Sequence, residues 1–109
     1  MKITDFFKSK NTTKTFTDPP NTAVFTTKFV IFDNKDITHV THEIEDGAWQ
    51  FFSDDEFEHF EDVAKIVGLQ EIIKRDNSIL ELADLPLGYL ATRKNKDEKW
   101  EIKKADQNT

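Results

Sequence analysis

Between Ile37 and Phe52 the sequence ITHVTHEIEDGAWQFF places apolar and polar residues in alternation on both sides of Asp46-Gly47. Period-two alternation marks half-buried strands, and Asp-Gly between two such runs predicts a hairpin whose type I′ turn holds two residues at positive φ. A two-residue loop pairs Glu45 with Ala48, Ile44 with Trp49, His42 with Phe51 and Val40 with Ser53. That register gathers Val40, Ile44, Trp49 and Phe51 on the buried face and leaves Thr41, Glu43 and Gln50 in water.

The run Ala23 to Phe32 reads as a strand preceding this hairpin. With Asp33 to Asp36 as its loop, Phe32 meets Ile37, Phe29 meets Val40 and Phe25 meets Ile44, so three strands share one apolar face. After Phe52 the period lengthens. Ser53-Asp54-Asp55-Glu56 has the form of a capping box, and Phe57, Phe60, Ala64 and Val67 continue at helical spacing, predicting a helix from about Asp54. Val63 to Val67 fits a short strand as well as the end of that helix. Leu69 to Arg75 predicts a further helix, with Ile72 and Ile73 inward and Lys74-Arg75 suiting its C-terminal dipole. Asp76 or Asn77 caps a last short helix carrying Ile79, Leu80 and Leu82, stopped by Leu85-Pro86-Leu87-Gly88. Tyr89 to Arg93 and Trp100 to Lys103 form a closing hairpin that sets Ala91 against Ile102 and Arg93 over the Trp100 indole.

These elements predict an α+β fold, a curved antiparallel sheet of about five strands with two or three short helices. Residues 1–22 read as an N-terminal extension: Ile3, Phe6 and Phe7 at helical spacing behind Thr4, then a Thr- and Lys-rich mobile linker ending in Pro19-Pro20. Residues 23–104 form the single domain, and 105–109 a frayed tail. At 109 residues one core is the expectation, and ten Phe, two Trp and one Tyr supply it with the aromatic bulk that suits sheets.

The net charge of −6 is unevenly spread. Residues 31–88 hold four basic and fifteen acidic side chains, whereas residues 1–30 hold five and two and residues 89–109 six and four. An acidic middle speaks against nucleic acid, which requires a basic footprint, and favours a basic protein partner steered in by the summed field. The absence of Cys excludes disulfides, thiolate nucleophiles and cysteine-ligated metals. With neither a long apolar run nor an N-terminal h-region, the expected setting is a reducing compartment, most simply the cytoplasm, without membrane attachment.

No catalytic template is met: the chain has no G-x-S-x-G, Walker-type loop, G-x-G-x-x-G or H-E-x-x-H. His39 and His42, three apart on a strand, face opposite ways and cannot share an ion. His42 reads as an inward imidazole satisfied by a hydroxyl or backbone group, and His59 as solvated. Ser53, His59 and Asp62 have no spacing that orients them as a triad. A non-enzymatic chain without cofactor or metal is the expectation. What stands out is DDEFEHFED, where Asp54, Asp55, Glu56, Glu58, Glu61 and Asp62 surround two Phe with no base before Lys65. Helix-dipole compensation accounts for Asp54, Asp55 and Glu56, while Glu58, Glu61 and Asp62 would repel one another at helical neighbour positions. These six are the candidate partner surface.

The order of two strands, Asp46-Gly47-Ala48-Trp49-Gln50-Phe51, the helical stretch Leu69 to Asp76 followed by Ile79, then Leu85-Pro86-Leu87-Gly88 and Arg93, resembles a family of small bacterial proteins proposed to be immunity proteins of polymorphic toxin systems. The resemblance covers roughly residues 24–102; Asn77 stands where the family usually has Pro, and the first 22 residues match no part of the pattern. It implies an α+β fold without known catalysis and a role in binding and silencing a toxin. The matching residues read as structural: Trp49 and Phe51 as core, Asp46-Gly47 as turn, Pro86 and Gly88 as helix stop. The second reading is a small ligand-binding or housekeeping domain with a cavity near His42 and Trp49. Oligomeric state is not legible.

Overall fold

The computed structural model describes residues 14–105. The helix expected at Ile3, Phe6 and Phe7, and the tail from 106 onward, lie outside the described residues. The chain forms an α+β fold: a six-stranded, mostly antiparallel, open sheet with short helices. In chain order these are β1 (Ala23–Thr27), α1 (Lys28–Asp33), β2 (His39–His42), β3 (Trp49–Phe52), α2 (Phe60–Val63), β4 (Ala64–Gly68), α3 (Leu69–Arg75), a 3-10 helix (Asn77–Leu82), β5 (Tyr89–Thr92) and β6 (Glu101–Lys104). Across the sheet the order is β4-β1-β3-β2-β5-β6.

The run expected as one strand from Ala23 to Phe32 is divided at Thr27. Its hydroxyl accepts the Val30 amide hydrogen at 3.5 Å and starts α1, which Asn34 ends in the left-handed conformation at φ 55°. Val30, Ile31 and Phe32 look strand-like by propensity, but one helical turn buries Val30 instead, so packing overrides preference. The expected pairings of Phe32, Phe29 and Phe25 with β2 are therefore absent. β1 lies parallel to β3, with Phe25 beside Gln50, and its other edge pairs antiparallel with β4. The Thr26 hydroxyl, fully buried, donates to the Phe51 carbonyl at 2.7 Å and fastens the parallel pair.

In the first hairpin His42 pairs with Trp49 and Val40 with Phe51, two residues away from the expected register. The loop holds four residues, Ile44 to Gly47. Glu43 N–H donates to Ala48 O at 2.8 Å, Gly47 N–H to Glu43 O at 2.9 Å, and Asp46 Oδ1 accepts from Ala48 N–H at 3.0 Å. Only Gly47, at φ 73°, enters the left-handed region, whereas a type I′ turn would have required Asp46 to enter it as well. A shift of two keeps every residue on its face, so Trp49, Phe51 and Val40 remain inward, while Ile44 moves into the loop and is exposed. Gly47→Val is expected to cost about 1–3 kcal/mol, because a β-branched residue is strained at positive φ. Thermal melting checks this, and equal midpoints for variant and parent would contradict the turn.

α1, α3 and the 3-10 helix cover one face of the sheet. Val24, Val40, Trp49, Phe51 and Ala91 point from the strands toward Val30, Leu69, Ile72, Ile79, Leu82 and Leu85. As expected, α3 occupies Leu69–Arg75, with Asp76 accepting from Ser78 N–H at 3.0 Å to cap the segment that follows, which winds as a 3-10 helix. In the closing hairpin Ala91 pairs with Ile102, and the Arg93 guanidinium carbon lies 3.9 Å from the Trp100 ring centre.

Candidate functional site

The acidic run begins where β3 ends. Ser53 is buried; its hydroxyl donates to Asp55 Oδ2 at 2.7 Å and accepts the Asp55 amide hydrogen at 3.4 Å. The expected capping box is thus closed on itself two residues on. No helix starts at Asp54, and residues 53–59 run irregularly to the four-residue α2. The two Phe of the run explain this path. Phe57 and Phe60 rings lie 6.2 and 5.3 Å from that of Phe52 and 5.9 Å from each other, and Phe60 is 6.3 Å from Phe25. By register Phe25 and Phe52 stand on the sheet face opposite α1, α3 and the 3-10 helix, so the run lies over that face as a small aromatic lid.

Phe60 is half-buried and Phe57 is 39% exposed at the rim of this cluster, while the charges face water. Asp54, Glu56, Glu58, Glu61 and Asp62 are exposed, as is His59. Asp55 is different, being half-buried and held 3.3 Å from Lys35 Nζ, and it is the member of the run in an ion pair among the described residues. The Ser53 hydrogen bond holds its carboxyl below the ordinary value of 3.8; partial burial opposes the shift and Lys35 adds to it. A depressed carboxylate contributes stability that is present above the unfolded value and is lost as pH falls through the folded one. Ser53→Ala is therefore expected to melt below the parent at pH 7, with the gap closing in acid as pH falls below 3.8 and through the lowered folded value. A gap that persists unchanged in acid would contradict the assignment.

Dipole compensation does not account for the acids that come first. Asp54, Asp55, Glu56 and Glu58 lie in irregular chain ahead of α2, whose first turn holds only Glu61 and Asp62.

The space proposed for a ligand is filled. The His42 and Trp49 rings stack at 3.8 Å and 12°, and Phe16 meets Trp49 edge-on at 5.0 Å. His42 Nδ1–H donates to the Leu85 carbonyl at 2.7 Å, so the ring is a satisfied packing element. Away from this stack lie two open clefts, one of them lined by Asn34, Asp36, Arg75 and Asp76. No group of three metal-binding side chains occurs among the described residues, and no described helix is long and apolar enough to cross a membrane.

Arg93, read from sequence only as a partner of Trp100, is the centre of a larger arrangement. Nε donates to the Ile37 carbonyl at 2.9 Å, Nη1 to Ser78 Oγ at 2.9 Å, and Nη2 to Asp76 Oδ2 at 2.6 Å. Its side chain is 1% exposed. Arg93 and Asp76, two of the residues that carry the resemblance, therefore join the 3-10 helix to the sheet.

The sequence model of the family described as Immunity protein Imm33 domain matches residues 24–104. The chain belongs to this family. The Imm33 match runs from the second residue of β1 to the last residue of β6 and so reaches all six strands. No curated protein and no solved structure matches the chain.

Proposed function

We propose that this Imm33 protein is a non-catalytic inhibitor that binds a toxin in the cytoplasm, and that the toxin presents a basic surface to the carboxylates of Asp54, Glu56, Glu58, Glu61 and Asp62. The family supplies the toxin-neutralising role. The observation carrying the rest is that these five carboxylates are exposed on a segment held down by Phe57 and Phe60. A charged loop on a fixed aromatic base is preorganised, so little ordering entropy opposes docking. Concentrated negative charge steers a basic partner and raises the association rate. Asp55 belongs to the base of the loop, through Ser53 and Lys35, more than to its outer surface.

The test is growth rescue. The proteins encoded by the open reading frames flanking the gene are produced singly, and any that arrests growth is co-produced with this chain. The parent is expected to restore growth, and a variant with Glu56, Glu58 and Glu61 changed to Lys is expected to fail. Its melting temperature should stay close to the parent's, since exposed substitutions cost within about ±0.5 kcal/mol each. Rescue by the reversed variant at parental level would remove the acidic surface from the account.

A further inference from the structure

The sheet ends at β4, and that end carries exposed apolar residues on both sides. β4 pairs with β1 through Lys65–Thr26, Ile66–Phe25 and Val67–Val24. Just past it, Leu69 N–H donates to Thr22 O at 2.8 Å. In an antiparallel ladder hydrogen-bonded and non-bonded pairs alternate, so Val67 and Lys65 turn their backbone groups toward β1, and Ile66 turns its N–H and C=O outward. No strand among the described residues takes them up. Ile66 is 64% exposed on the face that carries the aromatic lid, and Phe32, at the end of α1, is 65% exposed beside Lys65, whose ammonium lies 4.9 Å from its ring centre.

Sheet edges are ordinarily blunted by Pro, bulges or charge. Residues 64–68, AKIVG, contain no Pro, and their pairing with β1 is unbroken over all five positions; Lys65 is the single charge. The opposite edge, β6, shows the contrast with Glu101, Lys103 and Lys104 around Ile102. β4 is also the edge that follows directly on Glu61 and Asp62, at the end of the acidic run.

We infer that the toxin docks by adding an extended basic segment to the outer edge of β4, hydrogen-bonded to the Ile66 backbone, with one of its side chains against Ile66 and the next against Phe32. Ladder bonds supply affinity in such strand addition and alternate side chains supply specificity. Charge selects the occupant: a second copy would bring another −6 chain and a second acidic run to the same edge, whereas lysines or arginines flanking the added strand meet Glu61 and Asp62. This inference rests on the toxin-neutralising reading above.

The experiment uses the growth-arresting flanking protein as probe. Ile66→Pro removes the outward N–H and spares the β1 ladder, as Pro is tolerated on an edge whose N–H faces solvent. Affinity is expected to fall tenfold or more, and hydrogen exchange at Ile66 in the parent is expected to slow on complex formation. If Ile66→Pro binds like the parent and Ile66 exchange is unchanged, while the Lys reversals abolish binding, strand addition is overturned and the acidic-surface reading stands. If the parent binds none of the flanking proteins, both fall. Should Ile66→Pro fail to fold, Ile66 exchange in the parental complex decides alone.

Discussion

Arg93→Ala is expected to lower stability by about 3–5 kcal/mol, the range for removing one partner of a buried ion pair. Truncation leaves the Ile37 carbonyl without its donor at 2.9 Å, strips Asp76 of its counter-charge at 2.6 Å, and empties the space beneath the Trp100 ring. Against a total of about 5–15 kcal/mol this is a large fraction, and for a domain of this size it corresponds to a fall in melting temperature of at least about 12 °C. Arg93→Lys is expected to recover only part of the loss, since an ammonium cannot place three donors on Ile37, Ser78 and Asp76 in the fixed fork of a guanidinium. Urea unfolding of the parent and both variants measures the ranking. A Lys variant as stable as the parent would show that charge alone matters at this position.

Trp49→Ala is the second large expected loss, about 3–5 kcal/mol. The indole is 2% exposed and sandwiched among three rings: His42 stacked at 3.8 Å, Phe16 edge-on at 5.0 Å and Phe51 parallel at 6.1 Å. Its removal opens a cavity between β3 and the segment that brings Phe16 down. The indole nitrogen makes no hydrogen bond among the described residues, so what holds Trp49 is area and ring contact. Trp49→Phe is therefore expected to cost much less than Trp49→Ala. Chemical denaturation of both variants compares them, and equal losses would point to an unseen role for the N–H.

The parts of the fold that were legible are those in which local pattern and long-range packing agree. Ala91 opposite Ile102, Arg93 over Trp100, the Leu69–Arg75 helix and the Asp76 cap all follow from short-range rules. So do the inward faces of Val40, Trp49 and Phe51, because a register shift of two preserves them. What was hidden is set across distance. Thr27 reads equally as strand residue or helix cap until Val30 is seen to need burial. The parallel pairing of β1 with β3 leaves no local trace, since parallel neighbours are not joined by a turn. Ser53 looked like a helix cap, yet Phe57 and Phe60 gain more by covering Phe52 than a helix from Asp54 would offer. The acidic residues themselves were plain in the sequence, whereas Phe57 and Phe60 as their base, Asp55 as an internal prop and the free β4 edge required the tertiary structure.

Charge on the Asp54–Asp62 segment is proposed to recruit the toxin, and association kinetics at two salt concentrations separate such recruitment from an uncharged contact. With the flanking toxin as analyte, the parent is expected to associate fast at low salt and to slow steeply as salt rises, because exposed charges beyond a Debye length are screened. The Glu56, Glu58 and Glu61 to Lys variant is expected to associate at least tenfold more slowly at low salt, with little further dependence on salt. Equal association rates and equal salt slopes for the two proteins would contradict the claim.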